Sequence, residues 1–111
     1  MPLTLKRRYK RRYILVLCRS PPKELLSNTR CRVVNMFGYV TVHKASLKLI
    51  DKIEPDLHVI RCRSDFLGEV LSALTLLDTT HPAVVLDLSG TLRSLRARVP
   101  LKKQVIESVI A

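Results

Sequence analysis

Short apolar segments of strand length alternate along this chain with longer segments whose apolar residues recur every three or four positions. The first strand-like segment, Tyr13 to Cys18, is continuously apolar and rich in branched residues, as expected of a buried strand. After Ser20 and two prolines, the apolar positions change to helical spacing and continue as far as Gly38. This pattern predicts one helix closed by a glycine, with a core stripe of Leu26, Thr29, Val33 and Phe37.

A period-two pattern follows and predicts a β-hairpin. Residues 46–53 alternate in the manner of a strand, and residues 57–62 alternate again after Glu54-Pro55-Asp56. A tripeptide of this composition favours a tight turn. We therefore expect the two strands to lie side by side and antiparallel.

The second half of the chain repeats the order of helix and strand. Ser64 and Asp65 are expected to cap a helix that ends before His81-Pro82, and its core stripe consists of Phe66, Leu67, Val70, Leu71, Leu74 and Leu77. The mainly apolar run at residues 83–88 predicts the last strand. Pro100 is expected to open a short C-terminal helix.

The resulting order, β-α-β-β-α-β, is that of the ferredoxin-like (RRM-like) fold, an α/β protein of the α+β type with a four-stranded antiparallel sheet backed by two helices. At 111 residues the chain has room for one core, which excludes a two-domain enzyme. We predict a basic leader over residues 1–12, a ferredoxin-like domain over residues 13–99 and a C-terminal helical extension over residues 100–111. Because the strands are apolar on both faces, the sheet needs a second cover. The C-terminal segment, a protein partner or a second copy of the chain could supply it.

The positive charge of the chain is concentrated in two segments. There are 20 Lys and Arg residues against 9 Asp and Glu, a formal net charge of +11, which favours a polyanionic partner. Windows 6–19 and 93–103 hold 12 of the bases and no acid. Strands one and four are antiparallel neighbours in the predicted fold, so both windows are expected at the same end of the sheet. We predict that RNA binds there, its phosphates neutralised by Lys10, Arg11, Arg12, Arg93, Arg96 and Arg98.

Two smaller features adjoin these windows. Gly90 and Thr91, in the turn Ser89-Gly90-Thr91, leave backbone N–H groups at a strand end that can receive a phosphate. An ordinary strand-to-helix turn with Ser or Thr as N-cap explains the same residues equally well. Tyr9 is a candidate for stacking on an unpaired base, whereas Tyr13 is explained more simply as the first core residue of its strand.

Catalytic constellations are not evident in the sequence. The one local group of acids is Asp51, Glu54, Asp56 and Asp65, and solvated carboxylates on a turn and a helix start explain it better than a metal-dependent nuclease does. The three His and three Cys residues are dispersed, without the spacing of a metal site or a disulfide framework. We expect no cofactor and no metal, and the cysteine pattern favours a reducing, cytoplasmic location. The apolar run at Tyr13 is too short for a signal peptide or a membrane span, so no membrane partner is expected.

Three stretches in a fixed order carry a resemblance to a known family. They are residues 57–63 (LHVIRCR), residues 70–76 (VLSALTL) and residues 88–93 (LSGTLR). Together they resemble the small α/β protein subunit of archaeal and eukaryotic ribonuclease P, whose archaeal form is called ribonuclease P protein component 2. The family usually has glycine where this chain has Glu54-Pro55-Asp56 and Thr80-His81-Pro82.

The resemblance implies a noncatalytic subunit of a ribonucleoprotein whose RNA removes the 5′ leader of precursor tRNA. It also implies ribonuclease P RNA as a partner, precursor tRNA in the assembled complex, and a larger TIM-barrel-like protein subunit. Two alternatives stay open on the residues alone. One is a ribosomal or other ribonucleoprotein scaffold of the same fold, and the other is a small ferredoxin-like phosphoryl or acyl-phosphate hydrolase.

Overall fold

A computed structural model describes residues 10–54, 56–77 and 83–100 of the chain. The strands are β1 (Arg11–Leu17), β2 (Lys48–Glu54), β3 (Leu57–Arg63) and β4 (Val84–Ser89). The helices are α1 (Pro22–Phe37), α2 (Tyr39–Ala45), α3 (Leu67–Thr75) and α4 (residues 92–100). Most of the predicted leader (1–12) and C-terminal extension (100–111) lies outside the described residues.

The four strands form one antiparallel sheet in the order β2-β3-β1-β4. This order confirms the predicted ferredoxin-like arrangement, in which the first and third strands are central. Tyr13 of β1 pairs with Arg61 of β3 on one side and with Ser89 of β4 on the other. The beginning of β1 therefore lies beside the end of β4.

The first predicted helix is confirmed, and it ends at the predicted glycine, whose backbone has a positive φ. α1 ends at Phe37, and Gly38 follows with a positive φ of 96° and donates its N–H to the carbonyl of Val34. A side chain is strained in that backbone region. Leu25, rather than Leu26, is the fully buried residue at the start of the stripe, and Phe37 is exposed.

The segment after Gly38 differs from expectation because α2 was not predicted. It has seven residues, and only Ala45 among them is buried. Such a short helix with little apolar surface has no stripe at three- and four-residue spacing that the sequence could reveal.

The predicted hairpin and second helix are confirmed with shifted bounds. β2 and β3 pair antiparallel across the turn that contains Asp56. Ser64 and Asp65 do not cap α3: they form a single 3₁₀ turn that precedes it, without a side-chain cap hydrogen bond. α3 ends at Thr75, before the predicted stop, and His81-Pro82 lies outside the described residues.

The prediction that Pro100 opens the last helix is wrong. α4 begins at residue 92, directly after the turn that ends β4, and Pro100 is its last described residue. The apolar residues that set its position are Leu92, Leu95 and Val99, which follow each other at spacings of three and four.

The sheet has a core on each face. The α1–α3 side holds Ile14, Val16 and Ile60, and the opposite side holds Leu15 and Val59, all fully buried. The expectation of a second cover is therefore confirmed. α4 supplies it from within the chain, with Leu95 0% and Val99 6% exposed. Among the described residues, no helix is long and apolar enough to cross a membrane.

Among the described residues, His58 is a buried side chain that can titrate near neutral pH. It is 0% exposed, its Nε2 lies 3.2 Å from the carbonyl oxygen of Cys18, and its Nδ1 is buried without a hydrogen-bond partner. The Nε2–H therefore donates to Cys18, and burial lowers the pKa of His58 below its ordinary value of 6.5. Burial in the fold therefore favours the neutral imidazole.

The buried imidazole makes a prediction about stability and pH. The unfolded chain binds a proton at His58 that the folded chain does not, so the free energy of unfolding should fall as pH drops below about 6.5. Denaturant unfolding between about pH 7 and pH 5 measures this slope. His58→Gln should remove part of the slope, whereas His43→Gln, at an exposed histidine of α2, should leave it unchanged. Equal slopes in the wild type and the His58→Gln variant would contradict the assignment.

Candidate nucleic-acid interface

The start of β1 and the start of the second basic segment lie at one end of the sheet, whereas Arg19 of the first segment follows β1 at the opposite end. The pairing of Tyr13 with Ser89 places Lys10, Arg11 and Arg12 beside the turn that follows β4. We call this end, where β1 and β2 begin and β3 and β4 finish, the basic end. Lys10 and Arg11 are exposed there, and neither has an ion-pair partner among the described residues. Tyr9, the stacking candidate, lies outside the described residues.

Arg12 crosses to the turn after β4. A Cβ atom built on Gly90 would lie 2.7 Å from a terminal nitrogen of the Arg12 guanidinium, closer than real Cβ atoms approach other atoms. The absence of a side chain at position 90 therefore lets the guanidinium rest on the turn. This contact joins the two basic segments through one residue of each.

The turn itself is a strand-to-helix turn with a capped helix. The Oγ of Ser89 accepts the N–H of Thr91 at 3.2 Å, and the Oγ1 of Thr91 accepts the N–H of Ser94 at 3.2 Å. Thr91 is thus the N-cap of α4. A capped helix start still carries a partial positive charge, so binding of a phosphate at Gly90 and Thr91, both exposed, stays a prediction.

The three arginines of α4 differ in what they contact. Arg93, in the first turn, is exposed and has no ion pair or hydrogen bond among the described residues. Arg96 lies 2.7 Å from the Oδ2 of Asp51, and Arg98 lies 3.1 Å from the Oδ2 of Asp87. Phosphate binding by Arg96 and Arg98 remains a prediction, and both residues already hold carboxylates.

These two ion pairs fasten α4 to both edge strands. Asp51 is on β2 and Asp87 on β4, and each also accepts the N–H of the next residue through its Oδ1, at 2.8 Å in both cases. Residues two apart on a helix point about 200° away from each other, so Arg96 and Arg98 reach opposite edges of the sheet. Arg98 also donates to the carbonyl of Leu88 at 2.9 Å. The N–H of Leu88 is thus bonded to Asp87 and its carbonyl to Arg98. A strand of another molecule cannot pair with these two groups of the β4 edge.

Two cations at the basic end were missed in the sequence analysis. Lys48 of β2 pairs with Arg61 of β3, and Arg61 also pairs with Tyr13. Neither residue lies in the two acid-free windows, because acids follow both of them within four positions. Only the register of the hairpin, which aligns Lys48 and Arg61 with β1, could have predicted their position at the basic end.

The candidate acids with described ion pairs contact different arginines. Asp51 is paired with Arg96, and Asp65 lies 3.1 Å from Arg63. In the part of the chain that the structure describes, no group of three or more His, Cys, Asp or Glu residues could hold a metal ion. Burial raises the pKa of the Cys62 thiol to about 11, so this thiol is protonated at neutral pH and a poor nucleophile.

Comparison with protein families identifies one match. The model of the Rpp14/Pop5 family, whose name assigns it to ribonuclease P, matches residues 12–99. The matched range begins at Arg12 and ends inside α4, and so it includes both central strands, both edge strands and most of the basic end. No curated protein matches the chain.

A solved structure shares the fold. A chain in a cryo-EM structure of yeast ribonuclease MRP superposes with a TM-score of 0.52 at 12% sequence identity. The match covers 93% of this chain and 98% of that one. At this identity the likeness concerns the fold.

The different surroundings of Arg93 and Arg98 predict different effects on stability. Arg98→Ala leaves the Asp87 side chain, 14% exposed, without its cation and should cost about 1–3 kcal/mol. Arg93→Ala removes an exposed side chain without a partner and should stay within about 0.5 kcal/mol of the wild type. Urea unfolding of both variants measures the difference. Equal stability of the two would show that the Asp87–Arg98 pair does not fasten α4.

Proposed function

Because the chain belongs to the Rpp14/Pop5 family of ribonuclease P protein subunits, we propose that it is a noncatalytic, RNA-binding subunit of ribonuclease P. In this role it assists the catalytic RNA in removing the 5′ leader of precursor tRNA. The partners are ribonuclease P RNA, precursor tRNA in the assembled complex and a larger TIM-barrel-like protein subunit. The cytoplasmic location expected from the cysteine pattern is part of the same proposal.

The observation that carries the proposal is the convergence of unpaired cations at the basic end. Lys10, Arg11 and Arg93 are exposed without acidic partners among the described residues, and Arg12 rests on Gly90 beside them. A cluster of this kind repels itself unless an anion neutralises it. RNA phosphates supply that charge at regular intervals, and their neutralisation releases counterions.

The RNA surface lies at the strand ends rather than on the open face of the sheet. Many RRM-like domains stack bases on aromatic residues of that face. Here α4 covers the face, and Tyr13, its one aromatic residue on β1, packs against the second core. Contacts with phosphates then dominate, and we propose that the RNA is recognised through its backbone and shape.

A protein contact is supported by a different part of the surface. Phe37, Tyr39 and Val40 are large apolar residues that remain exposed where α1 meets α2. Such a cluster is costly in water and typical of a contact surface. The second core no longer argues for a partner, because α4 covers it.

The two alternatives predict different contacts. A scaffold protein of another ribonucleoprotein would use the same cations but would select a different RNA. A hydrolase would need a base beside the Ser89-Gly90-Thr91 turn. Thr91 is engaged as a cap and Asp87 is held by Arg98, so the observed contacts favour the ribonucleoprotein subunit.

RNA binding should depend on salt in a way that reports the basic end. Neutralising Arg12 and Arg93 together (Arg12→Gln, Arg93→Gln) should weaken binding to a ribonuclease P RNA transcript. It should also reduce the slope of log K against log salt by about 0.7–0.9 for each phosphate that the protein ceases to neutralise. Gly90→Ala moves the Arg12 guanidinium without changing the net charge and should also lower affinity. Filter binding or fluorescence anisotropy across a salt series measures both effects.

The control for this experiment is Lys23→Gln, at an exposed lysine near the start of α1. α1 begins at the opposite end of the sheet, so this substitution should leave both affinity and slope unchanged. If the double variant, shown to be folded by circular dichroism, binds like the control, then the basic end does not bind RNA.

A further inference from the structure

Two cations lie directly opposite each other on the sheet, on strands outside the two basic segments. Lys48 of β2 and Arg61 of β3 are Cα partners in the antiparallel ladder. Residues opposite each other have Cβ atoms about 4.5–5.5 Å apart, and like charges in this position destabilise a sheet. The fold therefore places two like charges opposite each other at the basic end.

The surrounding acids do not relieve this repulsion. Neither Lys48 nor Arg61 has an ion-pair or side-chain hydrogen-bond partner among the described residues. Asp51 on the same strand is held by Arg96, and Asp65 beyond β3 is held by Arg63. Arg61 is half-buried, so solvent screens its charge less than that of an exposed residue. In the described part of the chain no acid pairs with either cation, so both can bind an anion from outside the chain.

The pair is continuous with the surface proposed to bind RNA. Lys48, Arg61, Tyr13 and Ser89 form one row across all four strands. Neighbouring strands are about 4.8 Å apart, so the row spans about 14 Å. It begins at Lys48 on the β2 edge and ends at the Gly90 turn with the Arg12 guanidinium.

An RNA backbone fits this row better than an acidic protein segment does. Protein interfaces depend on apolar or aromatic anchors at their centre. The exposed large apolar residues in the described part of the chain lie elsewhere, on α1, on α2, after α3 and at the beginning of β4. The two cations of this row, Lys48 and Arg61, lie away from those exposed apolar residues. Cations without an exposed apolar anchor are typical of phosphate contacts.

From these observations we propose that Lys48 and Arg61 together bind a phosphodiester of the RNA, as a second phosphate site of the basic end. This inference rests on the proposed function and extends it. The bound backbone runs along the basic end from the β4 turn to the β2 edge, past the ends of all four strands. The ammonium and the guanidinium approach the same phosphate from adjacent strands.

A single substitution separates binding from stability. Lys48→Glu places a carboxylate opposite Arg61 and replaces a repulsive cross-strand pair by an attractive one. We expect the midpoint of thermal unfolding to rise by about 1–6 °C. We expect affinity for a ribonuclease P RNA transcript to fall and the salt slope to decrease by about 0.7–0.9. Lys23→Glu changes the net charge equally at the other end of the sheet and is the matched control.

Arg61→Gln provides a second variant in which the repulsion is removed without adding an acid. It should also unfold at a higher temperature than the wild type and bind RNA more weakly. If both variants bind like the Lys23→Glu control while the Arg12 and Arg93 double variant binds weakly, the second phosphate site is wrong and the proposed function stands. If the wild type itself binds no RNA, both are wrong.

Discussion

The burial of both faces of one four-stranded sheet is the constraint on which the rest of the structure depends. β1 and β3 are central strands, and consecutive residues such as Ile14, Leu15 and Val16 are all fully buried. A sheet of this kind loses about 1.5–3 kcal/mol for each large side chain left in water. It therefore needs a cover on each side, and α1 and α3 supply only one of them. α4 supplies the other through Leu95 and Val99.

The position of α4 determines which cations are available to a ligand. Its apolar stripe faces the sheet, so the charged residues between stripe positions point sideways or outwards. Arg96 and Arg98 point to the two edges, where Asp51 and Asp87 hold them. Arg93 is left in the first turn, beside the β4 turn and Arg12. A single helix thus separates two arginines that hold acids of the edge strands from an exposed arginine without a partner among the described residues. It also occupies the sheet face on which many RRM-like domains bind RNA.

The fold could be predicted from the sequence wherever burial imposes a period. The apolar run of β1, the helical stripe of α3 and the alternation of β2 and β3 are direct consequences of which side chains are buried. α2 was not predicted, because only Ala45 in it is buried and the helix therefore has no apolar stripe in the sequence. The sequence analysis placed the start of α4 at Pro100, because proline is common in the first turn of a helix. The helix instead begins after Thr91, which caps it earlier in the chain. A local cap overrides a distant proline, because the cap satisfies N–H groups that would otherwise be unpaired.

The candidate site was predictable in position but not in detail. Strand order alone brings the ends of β1 and β4 together, and the structure shows the predicted convergence. Arg96 contacts Asp51 across 45 residues of sequence. Arg98 contacts Asp87 on the edge strand β4. Neither pairing follows a short-range sequence pattern, so the sequence did not reveal either acid partner. The pairing of Lys48 with Arg61 depends on a hairpin register with two irregularities, which alternation in the sequence does not specify.

The identity of the RNA bound in cells tests the central claim most directly. The affinity-tagged chain would be purified from the cells that produce it, and the RNA that copurifies would be sequenced, with the Arg12→Gln, Arg93→Gln variant as the matched comparison. Our account predicts that ribonuclease P RNA is enriched with the wild-type chain and depleted with the variant. Enrichment of ribosomal RNA in its place, or equal recovery of ribonuclease P RNA with the folded variant, would contradict it.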